Sequence, residues 1–294
     1  MGKPRPVYQW PLRSRNLELG RRTLVMGVLN ITPDSFSDGG RFLSRSHAVG
    51  HALQMLDEGA DILDVGGEST RPGAKVAETG IPAEEELRRI LPVIEDVLRA
   101  RPGTVISADT YKAEVARAAV NAGAEIVNDV SGMRWDAGMA KTVAELKCGV
   151  VLMHTRGRPE EWRTLPPSPD IVAEVKEGLG QLAGNAVQQG IARERIMVDP
   201  GFGFGKRFEQ NYPLLAGLDE LLELGFPLLA GVSRKSFIGR TLARDGQDAP
   251  PEMRSNGTAA AVTIAAMLGA HVVRVHDAKA AVEAVKIVDA LRAG

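Results

Sequence analysis

HVVRVHD, residues 271–277, is a short apolar run that ends in charge. Residues two apart in a strand share a face, so Arg274 and His276 point the same way at the end of an otherwise apolar strand. Burying an unpaired guanidinium is expensive, which calls for a partner, either a structural carboxylate or an anionic ligand. Upstream the same form recurs: short apolar runs predict strands at 23–29, 61–65, 104–108, 125–128, 149–153, 195–198 and 227–231, with the eighth at 271–275. Helical patterns fit between and after them at 44–58, 83–100, 112–122, 137–147, 170–189, 208–224, 256–268 and 278–292. Gly59, Gly123 and Gly149 after helix C-termini and Pro82 in a first turn mark several boundaries. Strict alternation of apolar strands with helices means a parallel sheet covered by helices. An open doubly wound sheet is the alternative. Eight units without a linker or a break in composition favour closure, so the expected fold is α/β, a (β/α)8 TIM barrel forming one domain over 1–294 with a short N-terminal extension.

Each predicted strand is followed by polar groups: Asn30, Asp64 with Glu68, Asp109, Asn128, His154, Asp199, Ser233 with Lys235, and Arg274 with His276. In a barrel such positions converge on the C-terminal mouth, where active sites of this fold sit. Taken singly, the Asp and Asn residues are also what helix N-caps and turns use. That reading does not explain the basic groups. The segment GVSRKSFIG (231–239) sets Ser233, Arg234 and Lys235 beside the last strand. Barrels often hold phosphate between strands seven and eight, and Arg with Lys suits that task.

Composition narrows the classes. With 36 Lys plus Arg against 37 Asp plus Glu, the formal charge of −1 provides no global field for nucleic acid or an anionic membrane, so any anion site is local. The single cysteine, Cys148, rules out an internal disulfide framework, fits a reducing compartment and reads as a core residue more than as a catalytic thiol. The N-terminal MGKPRPVYQWPLRSRNLELG has no apolar run of signal-peptide length, so the chain reads as mature and cytosolic. GTAAAVTIAAMLGA (257–270) is shorter than the roughly 20 residues that span a bilayer and is expected as a buried helix. No zinc-type cluster appears. A Mg²⁺ ion needs only one or two protein oxygens, and Asn30 is a candidate ligand.

GFGFGK (201–206) fits neither a Walker loop, since Arg207 stands where Ser or Thr is needed, nor a dinucleotide fingerprint. Its glycines, Gly203 among them, serve either a tight turn or close approach to a flat ligand. NITPDSFSDGGRF and GGESTRPGAKVAETG are long, Gly- and Pro-rich loops after the first two strands, and they read as lids that order on ligand binding.

MGVLNITPDSFSDGG (26–40), GADILDVGGESTRPG (59–73), ISADTYKAEVARAAVNAGAEIVND (106–129), VDPGFGFGK (198–206), GVSRKSFIG and RVHD (274–277) resemble the dihydropteroate synthase family, in order and along nearly the whole chain. The resemblance implies a transferase that condenses 6-hydroxymethyl-7,8-dihydropterin pyrophosphate with p-aminobenzoate, uses Mg²⁺ and works as a cytoplasmic homodimer. Carried over by position, Asp109, Asn128, Asp199 and Lys235 would bind the pterin, with Met153, Gly203 and Phe204 lining its pocket. Arg274 would stack on the pterin and, with His276 and Asn30, hold the pyrophosphate and Mg²⁺. Phe36, Thr70, Arg71, Pro72, Ser233 and Arg234 would form the p-aminobenzoate side, with Asp34 and Arg71 bridging the loops. Asp109, Lys235, Arg274 and His276 are the expected catalytic set. Two other readings stay open: a pterin-binding methyltransferase barrel with a corrinoid partner, which should lack the SFSDGG and STRPG segments, and a pterin-binding barrel that has lost catalysis, which should have lost Asn30, Lys235, Arg274 or His276.

Overall fold

The computed structural model describes residues 4–31, 41–68, 80–162 and 164–293. A two-stranded antiparallel hairpin, β1 (Tyr8–Pro11) and β2 (Asn16–Leu19), precedes eight parallel strands. These are β3 (Leu24–Asn30), β4 (Ile62–Gly66), β5 (Val105–Asp109), β6 (Ile126–Asp129), β7 (Gly149–Met153), β8 (Ile196–Asp199), β9 (Leu229–Ala230) and β10 (Val272–Val275). Their order is β8-β7-β6-β5-β4-β3-β10-β9. The seam between the ends is joined by a parallel bridge of Val198 to Leu228, with Val198 N–H donating to the Pro227 carbonyl at 3.0 Å. Eight parallel strands in a ring with helices outside make the (β/α)8 barrel that the alternation predicts.

The helices are α1 (Arg41–Asp57), α2 (Ala83–Ala100), α3 (Ala113–Asn121), α4 (Met139–Leu146), α5 (Ile171–Gln188), α6 (Asn211–Ala216), α7 (Ser236–Thr241), α8 (Ser255–Met267) and α9 (Ala278–Ala293). The sequence predicts one helix over 208–224, but the chain forms a 3₁₀ turn at Phe208–Gln210, then α6, then a 3₁₀ stretch at Leu218–Leu224. Pro213 lacks an N–H and Gly217 weakens the helix at its end, so no continuous ladder forms. Nor does Gly149 cap α4 as expected: Lys147 takes the left-handed cap at φ 52°, and Gly149 opens β7. A Cβ at Gly149 would stand 2.7 Å from Leu12 and 3.1 Å from Trp10, so close packing explains that glycine.

Strand faces split the core in two. Val25 and Leu29 of β3, Leu63 and Val65 of β4, and their equivalents pack outward against the helices. Facing inward, Leu24, Met26, Ile62, Val105, Ile126, Val151, Met197, Leu229 and Val272 meet Trp10, Leu12 and Leu19 of the hairpin. Trp10 is fully buried and its Nε1 donates to the Arg195 carbonyl at 2.8 Å. The expected N-terminal extension is therefore a stopper that closes the bottom of the barrel. Because side chains alternate, a step of two residues toward the C-terminal end takes the inward set from apolar to polar: Asp64, Ser107, Asn128, Asp199 and Arg274, and then Asn30, Asp109 and His276.

Candidate active site

A cavity of about 310 Å³ opens at the C-terminal end of the strands, within the range of small-ligand sites. Of the residues singled out from sequence, Asn30, Glu68, Asp109, Gly203, Phe204, Ser233, Arg234, Lys235, Arg274 and His276 line it. Asn128, Met153 and Asp199 are buried beneath it at the inner ends of their strands. Asp34, Phe36, Thr70, Arg71 and Pro72 lie outside the described residues.

Arg274 finds carboxylates as partners. Its Nε donates to Asp64 Oδ2 and its Nη2 to Asp109 Oδ2, each at 2.6 Å. The same Asp64 oxygen accepts from Asn128 Nδ2 at 3.0 Å. Strand register explains the constellation: β10 pairs with β3 and β3 with β4, while β5 and β6 set Asp109 opposite Asn128. Burial raises the Asp109 carboxyl to about 7 against the pull of Arg274, with Asp64 adding to the rise. The two carboxylates hold the Arg274 guanidinium charged, above its usual range, despite burial. Asp199 is likewise raised by burial, opposed by the Gly201 N–H that its Oδ1 accepts at 2.7 Å.

Lys235 and Phe204 meet across the cavity wall, with the ammonium 3.9 Å from the ring centroid. Trp162 packs edge-on to Phe204 at 5.3 Å between centroids. His276 and Ser233 form a second polar pair: Ser233 Oγ lies 3.0 Å from His276 Nδ1 and accepts the His276 backbone N–H at 3.2 Å. Arg234 sits between them in left-handed backbone at φ 56°, fixed by its own N–H donating to Thr258 Oγ1 and by Arg254 Nη1 donating to its carbonyl. Non-glycine residues rarely adopt that region, and they cluster at functional sites when they do.

One polar strand end does not join the site. Met153 points into the barrel, so its neighbour His154 points out, where Gly178 of α5 makes room for the ring and burial lowers its pKa to about 2. Conversely, the sequence reading assigned no role to Asp64, which turns out to bond both Arg274 and Asn128. Ser236, Pro251 and Arg254 also line the cavity without having been singled out. Asp64 carried a usable signal, since it occupies the same inward layer as Arg274. Arg254 carried none, because its position depends on how the segment after α7 folds back.

The site thus has two zones. Its floor presents three carboxylates and a carboxamide beside the apolar Met153 and Phe204, a surface suited to a flat heterocycle rich in donors and acceptors. Its rim carries Arg274, Lys235, Ser233 and His276, suited to an anion. Asn30 offers a carboxamide oxygen at the same rim. Among the described residues no cluster of three or more His, Cys, Asp or Glu could hold a metal, so a resident metal cage is absent there. A single oxygen beside an anion-binding rim is nevertheless what a Mg²⁺ shared with a phosphorylated substrate requires.

Comparison with known proteins supplies a family for the chain. Residues 26–276 match the model of the pterin binding enzyme family. The dihydropteroate synthase of Escherichia coli is 47% identical over 266 residues, covering 90% of each chain. The structure of Xanthomonas albilineans dihydropteroate synthase with 4-aminobenzoic acid superposes with a TM-score of 0.88 at 46% identity, covering 98% of this chain and 100% of the other. The same enzyme in complex with 7,8-dihydropteroate gives 0.82 at 44% identity over 94% and 97%.

Proposed function

This chain belongs to the pterin-binding enzyme family, among its dihydropteroate synthases, and from that premise we propose that it condenses 6-hydroxymethyl-7,8-dihydropterin pyrophosphate with p-aminobenzoate in folate biosynthesis. The observation that carries this reading is the stacking of a donor-and-acceptor floor under a cationic rim in one cavity. The floor accepts the pterin: Asp109 and Asp199 take its amino and ring N–H groups, Asn128 offers both a donor and an acceptor, and Lys235 donates to the carbonyl side. Met153, Gly203 and Phe204 line its faces. Arg274 and His276 receive the pyrophosphate.

The bond between the pterin methylene carbon and the pyrophosphate oxygen breaks first, leaving positive charge on the dihydropterin and the electron pair on pyrophosphate. Arg274 and His276 stabilise that departing charge, and the Asp109 carboxylate faces the cation left behind. Mg²⁺, held by Asn30 and the substrate's phosphates, would supply further neutralisation of the leaving group. The amino group of p-aminobenzoate, on the Ser233 and Arg234 side, then forms the new carbon–nitrogen bond and gives up a proton. Ser236 extends that side of the rim.

Two further features belong to this reading. A homodimer would use the outer face of α8, where Ile264 is 45% exposed, together with the exposed Met253. The inner face of α8 packs Val262, Ala265 and Ala266 onto its own barrel, as expected of a buried helix, which leaves the outer face for a partner. A cytoplasmic setting is supported by the buried free thiol of Cys148. Among the described residues no helix is long and apolar enough to cross a membrane.

The test is direct. Purified protein given the pterin pyrophosphate, p-aminobenzoate and Mg²⁺ should form dihydropteroate and pyrophosphate in equal amounts, with loss of product when any one component is omitted. Tight pterin binding with no condensation product would refute the assignment and favour a barrel that has lost catalysis.

A further inference from the structure

Lys206, at the end of the glycine-rich loop, is a buried lysine whose three hydrogen bonds all go to backbone carbonyls. Its ammonium donates to His154 at 3.1 Å, Gly201 at 2.8 Å and Phe204 at 3.2 Å. None of these acceptors is a carboxylate, and Lys206 is not among the cavity-lining residues. Burial pushes its pKa down to about 7, so the three carbonyls offset only part of the cost of burying this cation.

What it gathers is specific. The Gly201 N–H fixes Asp199 Oδ1, and His154 N–H donates to the Asp199 carbonyl at 2.9 Å. The side chain of Phe204 carries the Lys235 ammonium on its ring. The backbone between them is anchored by the buried Phe202 and by Asn211 Oδ1, which accepts the Gly203 N–H at 2.7 Å, but every second residue of it is a glycine with no side chain to pack. Gly201, Gly203 and Gly205 all have positive φ, and a Cβ at Gly201 would fall 2.0 Å from the His154 carbonyl oxygen. Three glycines in a short loop are costly to order, because glycine has the most conformational freedom to lose. A three-pronged donor at the loop's end offsets part of that cost.

We infer that Lys206 is a positioning residue for pterin recognition: its ammonium ties the ends of β7 and β8 to the glycine-rich loop and thereby sets Asp199 and the Phe204–Lys235 pair, without touching the substrate. The inference rests on the pterin reading of the site. It separates pterin binding from the p-aminobenzoate side, since Ser233 and Arg234, in the segment after β9, are fixed by hydrogen bonds to His276 and Thr258, away from the carbonyls that Lys206 holds.

The test uses Lys206→Met, which keeps the aliphatic stem and removes all three donors. Fluorescence titration with 6-hydroxymethylpterin should show affinity weakened by about tenfold to a hundredfold, the effect of losing charge-assisted hydrogen bonds. The KM for the pterin pyrophosphate should rise by a similar factor, while kcat and the KM for p-aminobenzoate should stay within about twofold of the parent. Equal loss for both substrates, or unchanged pterin affinity in a folded variant, overturns the inference. A parent protein that binds no pterin overturns the functional reading instead, so the two failures are distinct. Should Lys206→Met not fold, the unaltered protein decides through lysine ¹⁵N NMR. Linkage requires that saturating 6-hydroxymethylpterin slow proton exchange at the Lys206 ammonium, and an unchanged exchange rate overturns the proposal.

Discussion

Replacing Arg274 by methionine keeps most of the side-chain length and removes the cation bonded to Asp64 and Asp109. The Asp64 side chain is fully buried, so water cannot take over its lost partner, while that of Asp109 is 14% exposed at the cavity. Breaking a buried pair from one side costs about 3–5 kcal/mol. For a protein of this size each kcal/mol moves the melting temperature by about 2–4 °C, which puts the expected loss on the order of 10 °C at neutral pH. The deficit should depend on pH in a definite direction. With the arginine in place, burial already holds the Asp109 carboxyl at about 7, and without it the value must rise further. An unfolded aspartate titrates near ~3.9, so between that pH and the raised folded value the native variant binds more protons than the unfolded chain. Its stability therefore falls as pH rises through this window; the parent falls alike up to about pH 7, so the deficit is level near pH 5 and widens once pH exceeds 7. Urea unfolding of both proteins at pH 5 and pH 7.5 measures this. Equal deficits at the two pH values, or a variant as stable as the parent, would refute the reasoning, whereas adding Asp64→Asn and Asp109→Asn should recover most of the loss.

Trp10→Ala empties the centre of the lower core and removes the bond to the Arg195 carbonyl, so urea unfolding should show a loss of about 3–5 kcal/mol. Gly201→Ala combines positive φ with a steric collision, and should lower both melting temperature and pterin affinity while p-aminobenzoate contacts persist. His271 is held neutral, with Nδ1 accepting the Leu228 N–H at 3.1 Å and Nε2 bonded to the Pro6 carbonyl at 2.9 Å. Burial pushes its pKa down to about 4, below the unfolded value of ~6.5, so stability is lost as pH falls through that interval, by on the order of 3 kcal/mol at pH 4. His271→Gln should flatten the acid limb of a stability profile measured by denaturant titration.

How far the chain could be read in advance follows from which forces act locally. The strands were legible because an apolar run between breakers has few other homes, and β3 through β8 begin and end within two residues of their expected bounds. β9 shrinks to Leu229–Ala230, since its pairing is limited to β10 and the single bridge to Leu228. The hairpin was read only as an extension, although Tyr8, Trp10 and Leu12 alternate before a polar turn and Leu17 and Leu19 resume after it. α7 escaped notice because six residues give too little periodicity to detect. In the site, period-two alternation indicated that Arg274 and His276 share a face. Alternation does not tell which neighbouring strand supplies the counter-charge, so Asp64 emerged only from the register across β10, β3 and β4. Lys206 looked like the tail of a glycine motif, and only the fold shows its ammonium surrounded by carbonyls.

Trp10, Leu12 and Leu19 make the barrel a bottle corked at the base, its neck among the described residues at the other end. Whatever lies on the floor near Asp199 and Asn128 must arrive before anything that occupies the rim, and it can depart only after the rim clears. Traffic through such a vessel is a queue. Inhibition patterns should accordingly show the pterin compound loading first and the condensed product leaving last, an order imposed by three apolar side chains at the far end from the chemistry.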